Sequence, residues 1–110
     1  MLTVVEYVRE DGSNPYWTWF DSLHAQAAAK VDGATRDGQH VEREVDGAIG
    51  EYRIDWGPGY RIYLMQNGDA LIILLGGGTK KGQQRDIARA QAFAAEYKAR
   101  KAATKPKHRR

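Results

Sequence analysis

Between residues 51 and 75 three runs of extended-type sequence follow one another with turn residues between them, and this spacing favours a small up-and-down antiparallel sheet over any helical arrangement. In residues 51–56, Glu51, Arg53 and Asp55 alternate with Tyr52, Ile54 and Trp56, so that one face is charged and the other apolar. Gly57-Pro58-Gly59 breaks the run. Residues 60–66 alternate again, with Arg61 and Tyr63 on one face and Tyr60, Ile62 and Leu64 on the other. Asn67-Gly68 then predicts a two-residue hairpin turn, since both central positions of such a turn need positive φ. Residues 70–75 (ALIILL) carry no polar interruption, the pattern of a central strand covered on both faces.

The flanks supply the rest of an α+β domain. Residues 2–10 (LTVVEYVRE) are rich in β-branched side chains and run into Asp11-Gly12-Ser13-Asn14, which predicts an N-terminal strand and a turn. Asn14-Pro15 is a helix start, with a capping amide and a proline where the missing N–H is harmless. Trp17, Phe20, His24, Ala27 and Val31 recur at helical spacing as one stripe facing the core, and Asp21-Ser22 can cap a second segment, giving a two-part helical unit to about Arg36. Residues 39–50 show no clear period and are assigned to a loop. The Gly76-Gly77-Gly78-Thr79-Lys80-Lys81-Gly82 stretch predicts a glycine-rich turn, and residues 83–100 a C-terminal helix with Ile87, Ala90, Ala94 and Tyr97 inward. Residues 1–100 thus form a single domain, and residues 101–110 (KAATKPKHRR) a disordered basic tail.

The absence of cysteine excludes disulfides and thiolate metal ligands, and agrees with a cytoplasmic location. The longest apolar run is too short to cross a bilayer, and the start lacks the pattern of a signal peptide, so no membrane association is expected. Charge is divided unevenly. Residues 1–52 hold four Lys/Arg against ten Asp/Glu, a net of −6, whereas residues 53–110 hold thirteen against four, a net of +9. A basic half of this kind attracts phosphate backbones.

Arg53 and Arg61 share a face on consecutive strands, and a tight hairpin would set the two guanidiniums side by side as a phosphate clamp. The alternative is an ordinary surface pairing with Glu51 or Asp55. As an exposed arginine on a sheet face, Arg61 would contribute little to stability. Lys80 and Lys81 follow the glycine triplet, whose spacing is not that of a nucleotide-binding loop and whose expected use is close approach of backbone to a phosphate. Tyr63 shares the Arg61 face, where it can stack on a base, donate a proton, or simply pack. Arg85 and Arg89 on the C-terminal helix, with Lys98, Arg100 and Lys101 further along, are candidates for contact with RNA. His24, His40 and His108 have no spacing that makes a zinc site, and His24 is placed as a half-buried packing residue.

The segments Glu51-Tyr52-Arg53-Ile54-Asp55, Gly57-Pro58-Gly59-Tyr60-Arg61-Ile62-Tyr63 and Ile72-Ile73-Leu74-Leu75-Gly76-Gly77-Gly78-Thr79-Lys80-Lys81, with Gln84 and Asp86-Ile87, resemble the RelE/ParE superfamily of type II toxins. Within it they are most similar to the HigB-like, phage-related addiction module killer proteins. The resemblance covers the last two-thirds of the chain well and the rest by order of elements. It implies a RelE-like α+β fold: N-terminal strand, helical unit, three-strand antiparallel meander and C-terminal helix. It also implies a cytoplasmic toxin held by a cognate helix-turn-helix antitoxin in a hetero-oligomer, acting as a ribosome-dependent, metal-independent mRNA endonuclease without a cofactor. The ParE-like branch implies instead a non-catalytic inhibitor of DNA gyrase, and a component that only binds antitoxin is a third alternative. The resemblance marks Arg61 and, by position, Lys80 and Lys81 as catalytic, and Arg53 and Tyr63 join them as candidates because they share the Arg61 face. The 2′-OH is the nucleophile in such a cleavage, so no activated Ser or Cys is required. The chain departs from the HigB-like pattern in having no histidine near the C-terminal helix, and Tyr97 reads as core.

Overall fold

A computed structural model describes residues 3–36, 43–46, 49–68 and 71–104. The order of elements is β1 (Thr3–Glu6), α1 (Pro15–Asp21), α2 (Ala25–Arg36), β2 (Arg43–Asp46), β3 (Ile49–Ile54), β4 (Tyr60–Asn67), β5 (Leu71–Thr79), a 3-10 turn (Lys80–Gly82) and α3 (Gln83–Thr104). The five strands form one mixed sheet in the order β1-β5-β4-β3-β2, giving an α+β architecture. β1 lies parallel to β5, and the other neighbours are antiparallel.

The alternation read in the sequence sorts side chains to two cores, one on each face. Tyr63, Met65, Ile73 and Leu75 meet Ala90 and Ala94 of α3, while Ile62, Leu64, Ile72 and Leu74 meet Tyr16 of α1 and Val31 of α2. Each aliphatic side chain so buried contributes about 1.5–3 kcal/mol. β5, between β1 and β4, is buried on both faces over Ile72–Leu75, as its unbroken apolar run requires. No helix among the described residues is long and apolar enough to cross a membrane.

Asn14 starts α1 as its sequence predicts: Oδ1 accepts from the Trp17 N–H at 2.8 Å, with Pro15 at the first turn. Its Nδ2 also donates to Glu6 Oε1 at 2.7 Å, which ties the helix start to the end of β1. The stripe differs from expectation. Tyr16, not Trp17, turns inward, and Trp17 is 49% exposed, because α1 is only two turns long and its phase is set by the cap. Asp21-Ser22 does not cap α2. That position falls to His24, which is exposed and accepts from the Ala27 N–H through Nδ1 at 3.4 Å.

Four boundaries move. Residues 39–50, assigned to a loop, contain β2 and the start of β3; strand pairing overrides a sequence that is charged and lacks a period. Asn67 is not a turn residue but the last of β4, paired with Leu71, which is not the register of a two-residue Asn67-Gly68 turn. The glycine triplet is not a turn either: β5 continues through Gly76, Gly77 and Gly78 to Thr79, paired with β4 throughout. α3 runs on to Thr104, so residues 101–104 of the expected tail are helical, and residues 105–110 lie outside the described part.

A bulge explains how β5 carries three glycines. Tyr63 pairs with Gly76 and Leu64 with Leu74, leaving Leu75 as the extra residue. After it, Gly77 faces α1, where a Cβ would strike the Trp19 indole, and Gly78 faces α3, where a Cβ would strike the Asp86 carboxylate. Both glycines therefore make room for side chains of the same chain.

Candidate functional site

In the β3–β4 pair Arg53 stands directly opposite Arg61, and Glu51 opposite Tyr63. Residues so paired have Cβ atoms about 4.5–5.5 Å apart, so the two guanidiniums share one patch of the α3-side face. Two like charges at that distance repel. The counter-charge is Glu51, two residues before Arg53 on the same face and fully buried. Its Oε2 lies 3.6 Å from Arg53 Nε and its Oε1 3.6 Å from Arg61 Nε. Gln83, the first residue of α3, donates from Nε2 to the same Oε1 at 2.8 Å. One carboxylate thus holds two arginines and the start of a helix, leaving a net charge of +1.

This corrects the expectation for Arg61. It is 4% exposed rather than a solvent-facing arginine, while the side chain of Arg53 is 47% exposed. Removing Arg61 would leave a buried carboxylate short of a cation. Nor do the paired guanidiniums call for an external anion, since the chain supplies one of its own.

Around these residues lies an open recess of about 620 Å³, walled by Arg53, Asp55, Tyr60, Arg61 and Lys80 and by the turn at residues 57–59. Gly59 sits in this turn at φ +82, and its carbonyl accepts from the Lys80 N–H at 3.3 Å, so the end of β5 is pinned against the β3–β4 turn. That bond brings Lys80, exposed, to the same recess as the arginines. Arg61 forms the floor near Gly59, Arg53 and Lys80 form the accessible cationic rim, and Asp55 is an exposed carboxylate beside them. A strand of phosphates could be gripped here by two cations, with the 2′-OH of the same strand near a carboxylate.

The other residues singled out in the sequence are placed differently. Lys81 is exposed and does not line the recess. Tyr63 is fully buried in the α3-side core, so its ring is closed to a nucleobase. Arg85 and Arg89 face a second groove, along β5 between α1 and α3. There burial pushes the Asp86 carboxyl above its usual range, and Arg85 and Arg89 draw it back. Arg100 is structural: Nη1 donates to the Val8 carbonyl at 2.8 Å and lies 3.4 Å from the Tyr7 hydroxyl. Lys98 and Lys101 are exposed beside it, about 22 Å along α3 from Gln83. Glu51 is the partner that the sequence offered as the alternative to a phosphate clamp, but buried rather than at the surface. Gln83 is the residue that nothing in the pattern marks.

No family model matches the chain. An uncharacterized protein of Haemophilus influenzae is 37% identical over 84 residues, covering 72% of this chain and 85% of that protein. At that identity and coverage, the chain belongs to the same family as this Haemophilus influenzae protein.

Proposed function

We propose that the chain is a cytoplasmic toxin of RelE-like fold from a type II toxin–antitoxin module, and that it cleaves mRNA on the ribosome at the recess beside the β3–β4 turn. The observation that carries this reading is the paired Arg53 and Arg61 on a carboxylate anchor, with Lys80 bonded to the facing turn. Arg53 and Lys80 hold the non-bridging oxygens of the scissile phosphate, and Arg61 supports the pair from below. Asp55 takes the 2′-OH proton, the 2′-oxygen bonds to phosphorus, and the P–O5′ bond breaks. Lys80 stabilises the departing 5′-oxygen, which takes a proton from water. The products are a 2′,3′-cyclic phosphate and a 5′-hydroxyl, with atoms and charge balanced and no metal involved. The partners are the ribosome with its mRNA and an antitoxin that holds the toxin inactive in a hetero-oligomer.

The burial of Tyr63 and Glu51 favours one further reading, a ParE-like inhibitor that traps DNA gyrase without chemistry, because it removes two proton-transfer groups from reach of a substrate. Induction in a bacterial host separates the two. Mapping of mRNA 5′ ends should reveal new cuts at ribosome-occupied codons, lost in Arg53→Ala. Growth arrest with filamentation and DNA damage, but without new mRNA ends, would overturn the nuclease reading in favour of gyrase.

A further inference from the structure

The sheet has an interrupted edge. β1 pairs with β5 only over Leu71–Leu74, and after the Tyr7 N–H bond to the Leu74 carbonyl the chain turns away towards α1. β5 continues for five more residues, the bulge residue Leu75 and then Gly76–Thr79, which pair with β4 on one side. No described strand pairs with the other side of this stretch. The edge is not left open to bulk water. It forms the floor of a groove of about 600 Å³ with one wall from α1, including Thr18 and Trp19, and the other from α3, including Arg85, Arg89 and Phe93.

An unpaired strand edge presents N–H and C=O groups in alternation, and only a ligand that supplies both acceptors and donors in the same alternation satisfies it. A polypeptide in extended conformation does so; a sugar-phosphate chain offers acceptors to the N–H groups and nothing comparable to the carbonyls. Charge decides which polypeptide. Arg85, with its side chain 75% exposed, and Arg89, also exposed, stand on the α3 wall one helical turn apart. Against them the groove holds one carboxylate, Asp86, which lies 3.8 Å from Arg85 Nε and leaves the wall with a net positive charge. Alternate residues of an added strand would point to opposite walls, one set to the arginines of α3 and the other to Trp19 and Thr18 of α1.

We infer that the Leu75–Thr79 edge is a docking groove for an extended peptide segment of about five residues, with acidic side chains at alternate positions facing Arg85 and Arg89 and apolar ones between them facing Trp19. The groove is separate from the Arg53–Lys80 recess, and the inference stands whether or not that recess cleaves RNA.

The test uses the full chain, labelled with 15N, and a capped heptapeptide of alternating glutamate and valine. Titration should give saturable shifts concentrated at the amides of Leu75–Thr79. The same peptide N-methylated at alternate residues, once on each edge, should bind at least tenfold more weakly in one of the two forms, because one edge of its backbone carries the new ladder. Arg85→Glu with Arg89→Glu should weaken binding tenfold or more; if that variant does not fold, the N-methylated peptides on the unaltered chain decide. Equal binding by an alternating lysine–valine peptide, or no shift at Leu75–Thr79 at millimolar peptide, would overturn the proposal. So would a decauridylate RNA that shifts these amides where the peptide does not.

Discussion

Replacing Arg61 by alanine should destabilise the fold far more than replacing Arg53, although the two stand side by side. Glu51 is fully buried, with Arg61 3.6 Å from one oxygen and Arg53 3.6 Å from the other. Breaking a buried ion pair by removing one partner costs about 3–5 kcal/mol. Glu51 keeps the Gln83 bond at 2.8 Å, so the lower part of the range applies, about 3–4 kcal/mol. With a urea m-value of about 1.5 kcal/mol/M, the unfolding midpoint of Arg61→Ala should fall by about 2–2.7 M. Arg53→Ala removes a half-exposed partner and should cost about 0–1 kcal/mol. Adding Glu51→Gln to Arg61→Ala removes the stranded charge, so the double variant should be less destabilised than the two single losses added together. Urea unfolding followed by tryptophan fluorescence measures all four. A midpoint for Arg61→Ala within about 0.3 M of the parent, or strict additivity in the double variant, would refute the carboxylate anchor. Loss of toxicity in Arg61→Ala therefore carries information about RNA contact only when its folding has been measured.

Arg53→Ala and Lys80→Ala should keep the fold and lose mRNA cleavage by at least tenfold each, scored as new 5′ ends after induction at matched protein levels. Glu96 accepts from Arg9 at 3.0 Å and from Tyr7 at 2.5 Å, and these bonds hold its carboxyl down at about 2. A depressed carboxyl stabilises fully above its unfolded value and loses that stability as pH falls towards the folded one, so melting temperature should drop from about pH 4.5 towards pH 2 and Glu96→Gln should flatten that drop. Gly77→Ala drives a methyl into the Trp19 ring and should cost about 1–3 kcal/mol or more, whereas Gly76→Ala meets nothing within 4 Å and should be tolerated; thermal melts of the pair check this.

What the sequence disclosed, it disclosed through period and local chemistry. The two-residue alternation placed Arg53 and Arg61 on one face, and the strands carry them in register; the Asn14-Pro15 cap and the inward Ala90 and Ala94 of α3 were equally legible. Burial was not. Arg61 and Tyr63 become buried because α3 lies over that face, and no local pattern says where a helix 20 residues later will pack. Gly76-Gly77-Gly78 looked like a turn because its glycines have no side chains to alternate; the reason for Gly77 and Gly78 is the arrival of Trp19 and Asp86 from other elements. β2 was hidden because an edge strand needs only one neighbour and tolerates charge on its faces.

The parallel pairing of β1 with β5 has a consequence for biogenesis. Thr3 finds its partner only at Leu71, so the amino-terminal strand must wait for most of the polypeptide before it can join the sheet. At roughly 5–20 residues per second on the ribosome, that delay is about 3–14 s. During it Val4 and Tyr7, which end up packed against the two cores, remain uncovered, and the nascent acidic half has only itself for company. Final closure is non-local, which slows folding relative to a helical protein of this size and makes truncation before Leu71 more damaging than loss of the last few residues of α3.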